Sequence, residues 1–176
     1  MPSRTRREEP IMADNSSSLA PFHQRIAETP VVAGEKLAVE ILDEIMSQCA
    51  IPRAVAPGPV RDLLLGTIEG SPYLSGLMRR DPARLAAMIE AVPEKHLDAA
   101  RAMPEAMQAL RTFKTEAALL IGLCDLAGIW PVMDVTGWLT QVADATVSGA
   151  VRFLFAQAQR RGDWLDGDPH AAARSG

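Results

Sequence analysis

The sequence predicts an all-α protein, an irregular bundle of about five to seven helices. Apolar residues recur at the three- and four-residue spacing of amphipathic helices. Several of these segments begin with a capping residue or glycine followed by proline, which is typical of helix starts. No segment alternates between apolar and polar residues as a half-buried strand does. We therefore expect one helical domain, residues 34–161.

The two ends differ in composition from this expected domain. Residues 1–33 are polar, contain four prolines and include the run Asn15-Ser16-Ser17-Ser18. Such a segment has too little apolar surface to offset the entropy lost on ordering. After Arg161-Gly162 the chain again becomes polar. We predict a flexible N-terminal arm over 1–33 and a flexible tail over 162–176.

The first half of the domain predicts short helices divided by proline and glycine. From Glu35 an apolar stripe ends at Ile51-Pro52, and the connector Pro57-Gly58-Pro59 leads into a short helix. Ser71-Pro72 and Asp81-Pro82 each pair a cap with a proline, so two more helices are expected to begin there. Residues 93–103 follow with sparser apolar spacing.

The second half predicts two long helices. The first begins at Pro104, is apolar nearly all round from Ala117 and should be central; its stripe is Met107, Leu110, Phe113, Ala117, Leu120 and Cys124. Gly128 and Pro131 interrupt the chain, and Asp134 is expected to cap the second helix. Its stripe is Val135, Trp138, Val142, Ala145, Gly149 and Phe153. Because Ala145 and Gly149 are small, we predict a close helix–helix contact at Gly149.

Composition excludes several classes of function. A net charge of −4 and a pI near 5.4 do not suit a nucleic-acid binder. No run of about 20 apolar residues exists to span a membrane. Arg6-Arg7 is followed by two glutamates and no apolar run, so we expect no export signal. Cys49 and Cys124 stand apart, as buried thiols do in a reducing cytoplasm.

No residue pattern predicts catalysis. Asp163, Asp166 and Asp168 form the one carboxylate cluster, and nucleotidyl transfer uses paired carboxylates to hold Mg²⁺. No strand or Gly-Ser turn precedes them to hold them rigidly, so we interpret them as a solvated tail. The histidines are isolated from other metal-ligand residues; they are His23, His96 and His170. We therefore nominate no catalytic, cofactor-binding or metal-binding residue.

Basic residues on two helices leave two interpretations open. Arg111 and Lys114 lie one turn apart, with Glu116 close behind. They suit either a phosphate or partner contact, or an ordinary solvated face with a weak local ion pair. Arg79-Arg80 suits the negative C-terminal end of its helix. Trp130 and Trp138 flank the helix break and are expected to pack across it.

Three motifs in joint order carry a family resemblance. They are Ser71-Pro72-Tyr73-Leu74, Phe113-Lys114-Thr115-Glu116 and Leu139-Thr140-x-x-Ala143-Asp144-Ala145. Over about residues 35–165 the chain resembles the N-terminal helical region of bacterial glutamine synthetase adenylyltransferases/deadenylylases. In that family a nucleotidyltransferase sheet with a Gly-x-Gly-Lys-x-Gly…Ser-Asp-x-Asp-type signature follows these helices. The sequence up to Gly176 lacks this signature, so no metal-binding aspartate of the family carries over.

The resemblance implies an enzyme that transfers AMP to and from a tyrosine of glutamine synthetase. It implies ATP and Mg²⁺ in the full-length family, regulation by a PII-type signal protein, and a cytoplasmic location. We expect this chain to need no cofactor of its own and to be inert alone. Its partners would be glutamine synthetase and the remainder of the same enzyme. The alternative is a free-standing helical interaction module without catalysis.

Overall fold

The structure, a computed structural model, describes residues 19–34, 36–101 and 107–162. Within these ranges it contains eight α-helices and one three-residue 3₁₀ helix, Phe22–Gln24, and no strand, which confirms the all-α prediction. The helices are α1 (Lys36–Gln48), α2 (Pro52–Val55), α3 (Pro59–Gly70), α4 (Pro72–Arg80), α5 (Pro82–Glu90), α6 (Pro93–Arg101), α7 (Met107–Leu126) and α8 (Val132–Arg161).

The predicted capping residues start the short helices. The side chain of Ser71 accepts a 3.3 Å hydrogen bond from the backbone N–H of Leu74, and Asp81 accepts one of 3.0 Å from that of Arg84. Proline occupies the first turn of both helices, where its missing N–H leaves no intrahelical bond unmade. Two caps therefore fix the sharp corners between α3, α4 and α5.

Two local features differ from the sequence prediction. The one-turn helix α2 was not expected, because four residues are too few to show helical spacing. The cap assigned to Asp134 was wrong. Helix α8 begins at Val132, with Pro131 at the N-cap and Asp134 in the first turn. The carbonyl of Pro131 accepts the N–H groups of Asp134 and Val135, so the helix is already formed when the chain reaches Asp134.

Helix α7 lies at the centre of the bundle, as its apolar second half predicts. It contacts α3, α4, α6 and α8. The predicted stripe residues Phe113, Ala117, Leu120 and Cys124 are all buried. The hydrophobic core continues into α1, α3 and α5, so the short helices of the first half close over one side of α7.

Residues 19–34 differ from the flexible arm predicted over 1–33, because they lie against the helices. Phe22 is 1% exposed, and its backbone N–H donates to the carbonyl of Ala91. Ala27 and Glu28 donate to the carbonyl of Ala127, and Glu69 accepts from Ala33 and Gly34. The rest of the predicted arm, 1–18, and the predicted tail beyond Gly162 lie outside the described residues.

Helix α8 packs against α7 along the predicted stripe. Gly149 is buried there, and a Cβ added to it would lie 2.7 Å from Cδ2 of Leu110 in α7. This confirms the predicted helix–helix contact at Gly149. The rings of Trp130 and Trp138 stack across the break before α8 with centroids 5.6 Å apart, as predicted. None of the helices that the structure describes is long and apolar enough to cross a membrane.

Candidate functional site

A concave surface with many polar lining residues lies between the α4–α5 corner and one side of α7. It has a volume of about 350 Å³. Leu77 and Leu119 contribute apolar surface, and the polar lining residues are Arg80, Asp81, Arg84, Gln108, Arg111, Thr112, Thr115 and Glu116. We call this the arginine cleft. Its volume lies within the range of small-molecule sites, about 300–1,000 Å³.

Glu116 is the structural centre of the arginine cleft. Glu116 is 8% exposed, and its carboxylate joins three helices. Oε1 lies 2.6 Å from Nε2 of His96 in α6, and Oε2 lies 3.2 Å from Nη1 of Arg84 in α5. Because an ionised carboxylate can only accept, Nε2 of His96 carries the proton in this contact. The hydrogen bond from His96 and the charge of Arg84 hold the pKa of Glu116 below its ordinary value, although burial opposes them.

Arg84 is fixed from both sides. Its Nε donates to Oδ2 of Asp81 at 3.1 Å while its Nη1 faces Glu116. Asp81 therefore serves two purposes, because its other oxygen caps the first turn of α5. The contacts of Arg84 with Asp81 and Glu116 place one guanidinium group rigidly on the wall of the arginine cleft.

Two further arginines line the same cleft. Arg80 ends α4 and Arg111 lies in the first half of α7, and both are exposed. In the part of the chain that the structure describes, neither forms an ion pair. The phosphate or partner contact considered for Arg111 would therefore also involve Arg80 of α4, since both residues line the cleft.

The neighbouring basic residues do not line this cleft. Arg79 turns toward α1, where its Nη2 lies 3.0 Å from Oε2 of Glu44. Lys114 is exposed on α7 outside the lining. The prediction that grouped Glu116 with the solvated face of Arg111 and Lys114 was wrong for Glu116. Glu116 lies on the stripe of Phe113 and Ala117 and is buried with partners from α5 and α6.

A second polar cluster holds residues 19–34 to the helices. Arg25 Nη1 contacts both carboxylate oxygens of Glu94, at 2.8 and 2.7 Å, and Trp130 donates its Nε1–H to Glu94 at 2.7 Å. Burial alone would raise the pKa of Glu94, but the bonds from Arg25 and Trp130 outweigh it and the pKa is lowered. Glu94 thus joins Arg25 of the N-terminal segment to Trp130, which is a packing role.

The remaining candidate residues are accounted for separately. His23 Nδ1 lies 3.0 Å from the carbonyl oxygen of Ile89 in the packed N-terminal segment. Cys49 and Cys124 are free thiols, and burial raises the pKa of Cys124, which makes it a poor nucleophile. Tyr73 is 62% exposed. The carboxylate cluster at 163–168, His170 and Trp164 lie outside the described residues.

The described residues do not group ligands for a Mg²⁺ ion. Within residues 19–34, 36–101 and 107–162, no three His, Cys, Asp or Glu side chains are grouped to hold a metal ion. The two carboxylates of the arginine cleft, Asp81 and Glu116, already face Arg84. We therefore assign no metal-dependent step to the residues that the structure describes.

Sequence reasoning missed the convergence of Arg80, Arg84, His96 and Glu116. One signal could have indicated it. Glu116 occurs between Phe113 and Ala117 on an apolar helical stripe, and a carboxylate at such a position needs a charged or hydrogen-bonding partner. The partner itself could not be identified, because Arg84 and His96 belong to other helices.

The described residues thus form an all-helical bundle with an arginine-lined cleft. The sequence profile of the glutamate-ammonia ligase adenylyltransferase family matches residues 63–173. The chain belongs to this family.

Its relatives are much longer proteins. The chain is 41% identical over 153 residues to a bifunctional glutamine synthetase adenylyltransferase/adenylyl-removing enzyme of Rhodopseudomonas palustris, covering 80% of this chain and 16% of the relative. The enzyme of that name from Bradyrhizobium diazoefficiens is 43% identical over 122 residues, 63% of this chain and 12% of the relative. The one from Xanthobacter autotrophicus is 36% identical over 166 residues, 89% and 16% respectively. The chain thus spans less than a fifth of the length of these relatives. No solved structure matches it.

Proposed function

We propose that this chain is a helical part of a bifunctional glutamine synthetase adenylyltransferase/adenylyl-removing enzyme, and that it supports and orients catalytic parts without transferring AMP itself. The observation that carries this proposal is the coverage of the Rhodopseudomonas palustris relative. Most of this chain, 80%, aligns with only 16% of that enzyme. A rigid helical bundle centred on α7 suits a supporting role.

In this proposal the complete enzyme moves AMP to and from a tyrosine of glutamine synthetase in the cytoplasm. ATP and Mg²⁺ bind elsewhere in that enzyme, and a PII-type signal protein regulates it. This chain contacts the remainder of the enzyme, with no nucleic acid or membrane as partner. These details follow the family resemblance, and the relatives' names include both adenylyltransferase and adenylyl-removing activity.

The chemistry of the arginine cleft supports a non-catalytic role. Nucleotidyl transfer depends on positioning and on charge stabilisation by metal ions held by carboxylates. The carboxylates available in the cleft, Asp81 and Glu116, are both engaged by Arg84. Releasing them to bind a metal would leave Arg84 without its charge partners and would break the contacts that hold α5, α6 and α7 together.

Activity assays on the purified 176-residue chain test this proposal. We expect no AMP transfer to glutamine synthetase with ATP and Mg²⁺, and no AMP release from adenylylated glutamine synthetase with phosphate. Adding the remainder of a related enzyme, in cis or in trans, should give activity. Turnover by the chain alone that is abolished by Asp166→Ala with Asp168→Ala would overturn the proposal and make residues 163–168 an active site.

One observation favours the alternative of a free-standing interaction module. The outer face of α8 exposes three large apolar side chains, Leu139 at 48%, Val147 at 62% and Leu154 at 55%. Their spacing of eight and seven residues places them on one side of the helix. If the chain binds glutamine synthetase but never changes AMP transfer by the remainder of the enzyme, the module is the better description.

A further inference from the structure

We propose that the arginine cleft binds the phosphate group of a small ligand between Arg80, Arg84 and Arg111. This site does not depend on the proposed supporting role, because it rests on the side chains of the cleft alone. The three arginines come from α4, α5 and α7, so the tertiary fold, and no single helix, creates the site.

The charges in the cleft favour an anion. Three guanidinium groups and two carboxylates line the cleft, and both carboxylates are engaged by the same arginine, Arg84. Arg80 and Arg111 have no ion pair within the described residues. Two like charges lining one cleft repel each other, and an oxyanion between them would turn that repulsion into two attractions.

The donors line the cleft from three different helices, which suits a tetrahedral oxyanion better than a planar carboxylate. A carboxylate is satisfied by one guanidinium fork, whereas a phosphate offers oxygens in several directions. Arg80 and Arg111 line the cleft from different helices, and Gln108 and Thr112 add an amide and a hydroxyl from α7. Thr115 already donates its hydroxyl hydrogen to the carbonyl of Arg111, so it adds no donor.

The shape and rigidity of the cleft support a small phosphorylated molecule. Leu77 and Leu119 provide apolar surface beside the arginines, and the volume of about 350 Å³ leaves room for an organic group attached to the phosphate. Arg84 is fixed by Asp81 and Glu116, so its side chain loses little conformational entropy when the ligand binds. The shared chemistry is a phosphate dianion, either inorganic phosphate or a phosphate monoester.

Calorimetric titration of the 176-residue chain at about 0.15 M ionic strength, where salt screens charges outside the cleft, tests the site. The probes are inorganic phosphate, ribose 5-phosphate and AMP as phosphate sources, and succinate as a dicarboxylate of similar charge. We expect saturable one-to-one binding of at least one phosphate compound and weaker binding of succinate. Inorganic phosphate alone would identify a free-ion site, whereas tighter binding of a monoester would show that the apolar surface contributes.

Matched variants separate a defined site from general positive charge. Arg80→Gln and Arg111→Gln together should weaken phosphate binding by roughly tenfold or more, because each removes a charge-assisted contact. Arg79→Gln and Lys114→Gln together remove the same charge from neighbouring positions outside the cleft and should change affinity by less than about twofold. Circular dichroism and the melting temperature establish that each variant is folded.

Three results would overturn the proposal. They are no saturable binding by any phosphate compound, equal weakening by the cleft and control pairs, and succinate binding as tightly as phosphate. The binding test does not depend on the AMP-transfer and AMP-release assays. The phosphate site and the supporting role can therefore fail separately.

Discussion

The Nε2 atom of His96 lies 2.6 Å from Oε1 of Glu116, which ties α6 to α7 beside the arginine cleft. The other oxygen of Glu116 faces Arg84 of α5. One buried carboxylate therefore organises three helices. Its removal should affect the stability of the bundle as well as the position of Arg84.

Glu116→Gln should lower the free energy of unfolding by about 1–3 kcal/mol, because it removes a charged acceptor from partly buried partners. Gln keeps the size of the side chain, so packing changes little. Urea unfolding near neutral pH measures the loss. Glu40→Gln is a suitable control, since Glu40 pairs with Lys36 at 3.5 Å on an exposed face and should change stability by less than about 0.5 kcal/mol. Equal losses in the two variants would contradict a special role for Glu116.

The stability of the chain should depend on pH through Glu116 and Glu94. Both carboxyls have a folded-state pKa below the ordinary value of 4.5. Near that value the unfolded chain binds more protons than the folded one, so the free energy of unfolding rises with pH. This stabilisation is fully present above the ordinary pKa and is lost as the pH falls through the folded-state values.

Unfolding measured in urea at a series of pH values from about 3 to about 7 checks this dependence. The double variant Glu116→Gln with Glu94→Gln should show a flatter profile on the acid side than the native chain. A double variant of the exposed residues Glu40 and Asp43 should keep the native slope. If the free energy of unfolding of the Glu116 and Glu94 variant depended on pH as steeply as that of the native chain, these two carboxyls would not be the cause of the dependence.

Local pattern predicted much of the fold. The caps at Ser71 and Asp81 and the stripe through Gly149 could be identified because each depends on residues within one or two turns of the same segment. The short helix α2 gave no such periodic signal. The N-cap of α8 was misplaced by three residues, because Pro131 was interpreted as an interruption of the chain although it is the N-cap itself.

The arginine cleft could be predicted only in pieces. Arg79-Arg80 and Arg111 were each noted as basic positions, but their spatial relation depends on the corner between α4 and α5 and on the central place of α7. Packing of residues 19–34 was missed for a similar reason. That segment is held by Phe22, Arg25 and backbone hydrogen bonds to distant carbonyls, and its polar composition resembles that of a flexible arm.

Gly149→Leu should destabilise the chain by about 1–3 kcal/mol, since it inserts a large side chain where α8 meets Leu110 of α7. Thermal unfolding measures the loss. Gly149→Ala should cost less, because the nearest atoms are the movable end of Leu110 and alanine favours helix by about 1 kcal/mol. At Gly137 in the same helix an added Cβ would have no heavy atom within 4 Å, so Gly137→Leu is the control.

A double variant tests whether Leu110 causes the loss of stability in Gly149→Leu. Leu110→Ala makes room beside Gly149 and should recover part of the stability lost in Gly149→Leu, although it is itself destabilising. Such coupling is expected for residues in contact and measures their interaction. Strictly additive losses would mean that the leucine at 149 meets something other than Leu110.

Gly66→Ala should loosen the segment 30–34 and lower the free energy of unfolding by about 1–3 kcal/mol. A Cβ at this buried position in α3 would lie 2.7 Å from Cβ of Pro30 and 3.0 Å from its carbonyl oxygen. These atoms belong to a proline ring and the backbone, so the clash cannot be relieved by rotating a flexible side chain. The segment must shift, and we expect this shift to weaken the hydrogen bonds that the backbone N–H groups of Ala33 and Gly34 donate to Glu69.

Gly76→Ala in α4 is the matched control, because a Cβ there meets nothing within 4 Å. Alanine is favoured over glycine inside a helix, so this variant should gain about 0.5–1 kcal/mol. Amide hydrogen exchange at Ala33 and Gly34 should speed up in Gly66→Ala and stay unchanged in Gly76→Ala. If Gly66→Ala were stabilising to the same extent as Gly76→Ala, with native exchange at both amides, residues 30–34 would not be packed against α3 in solution.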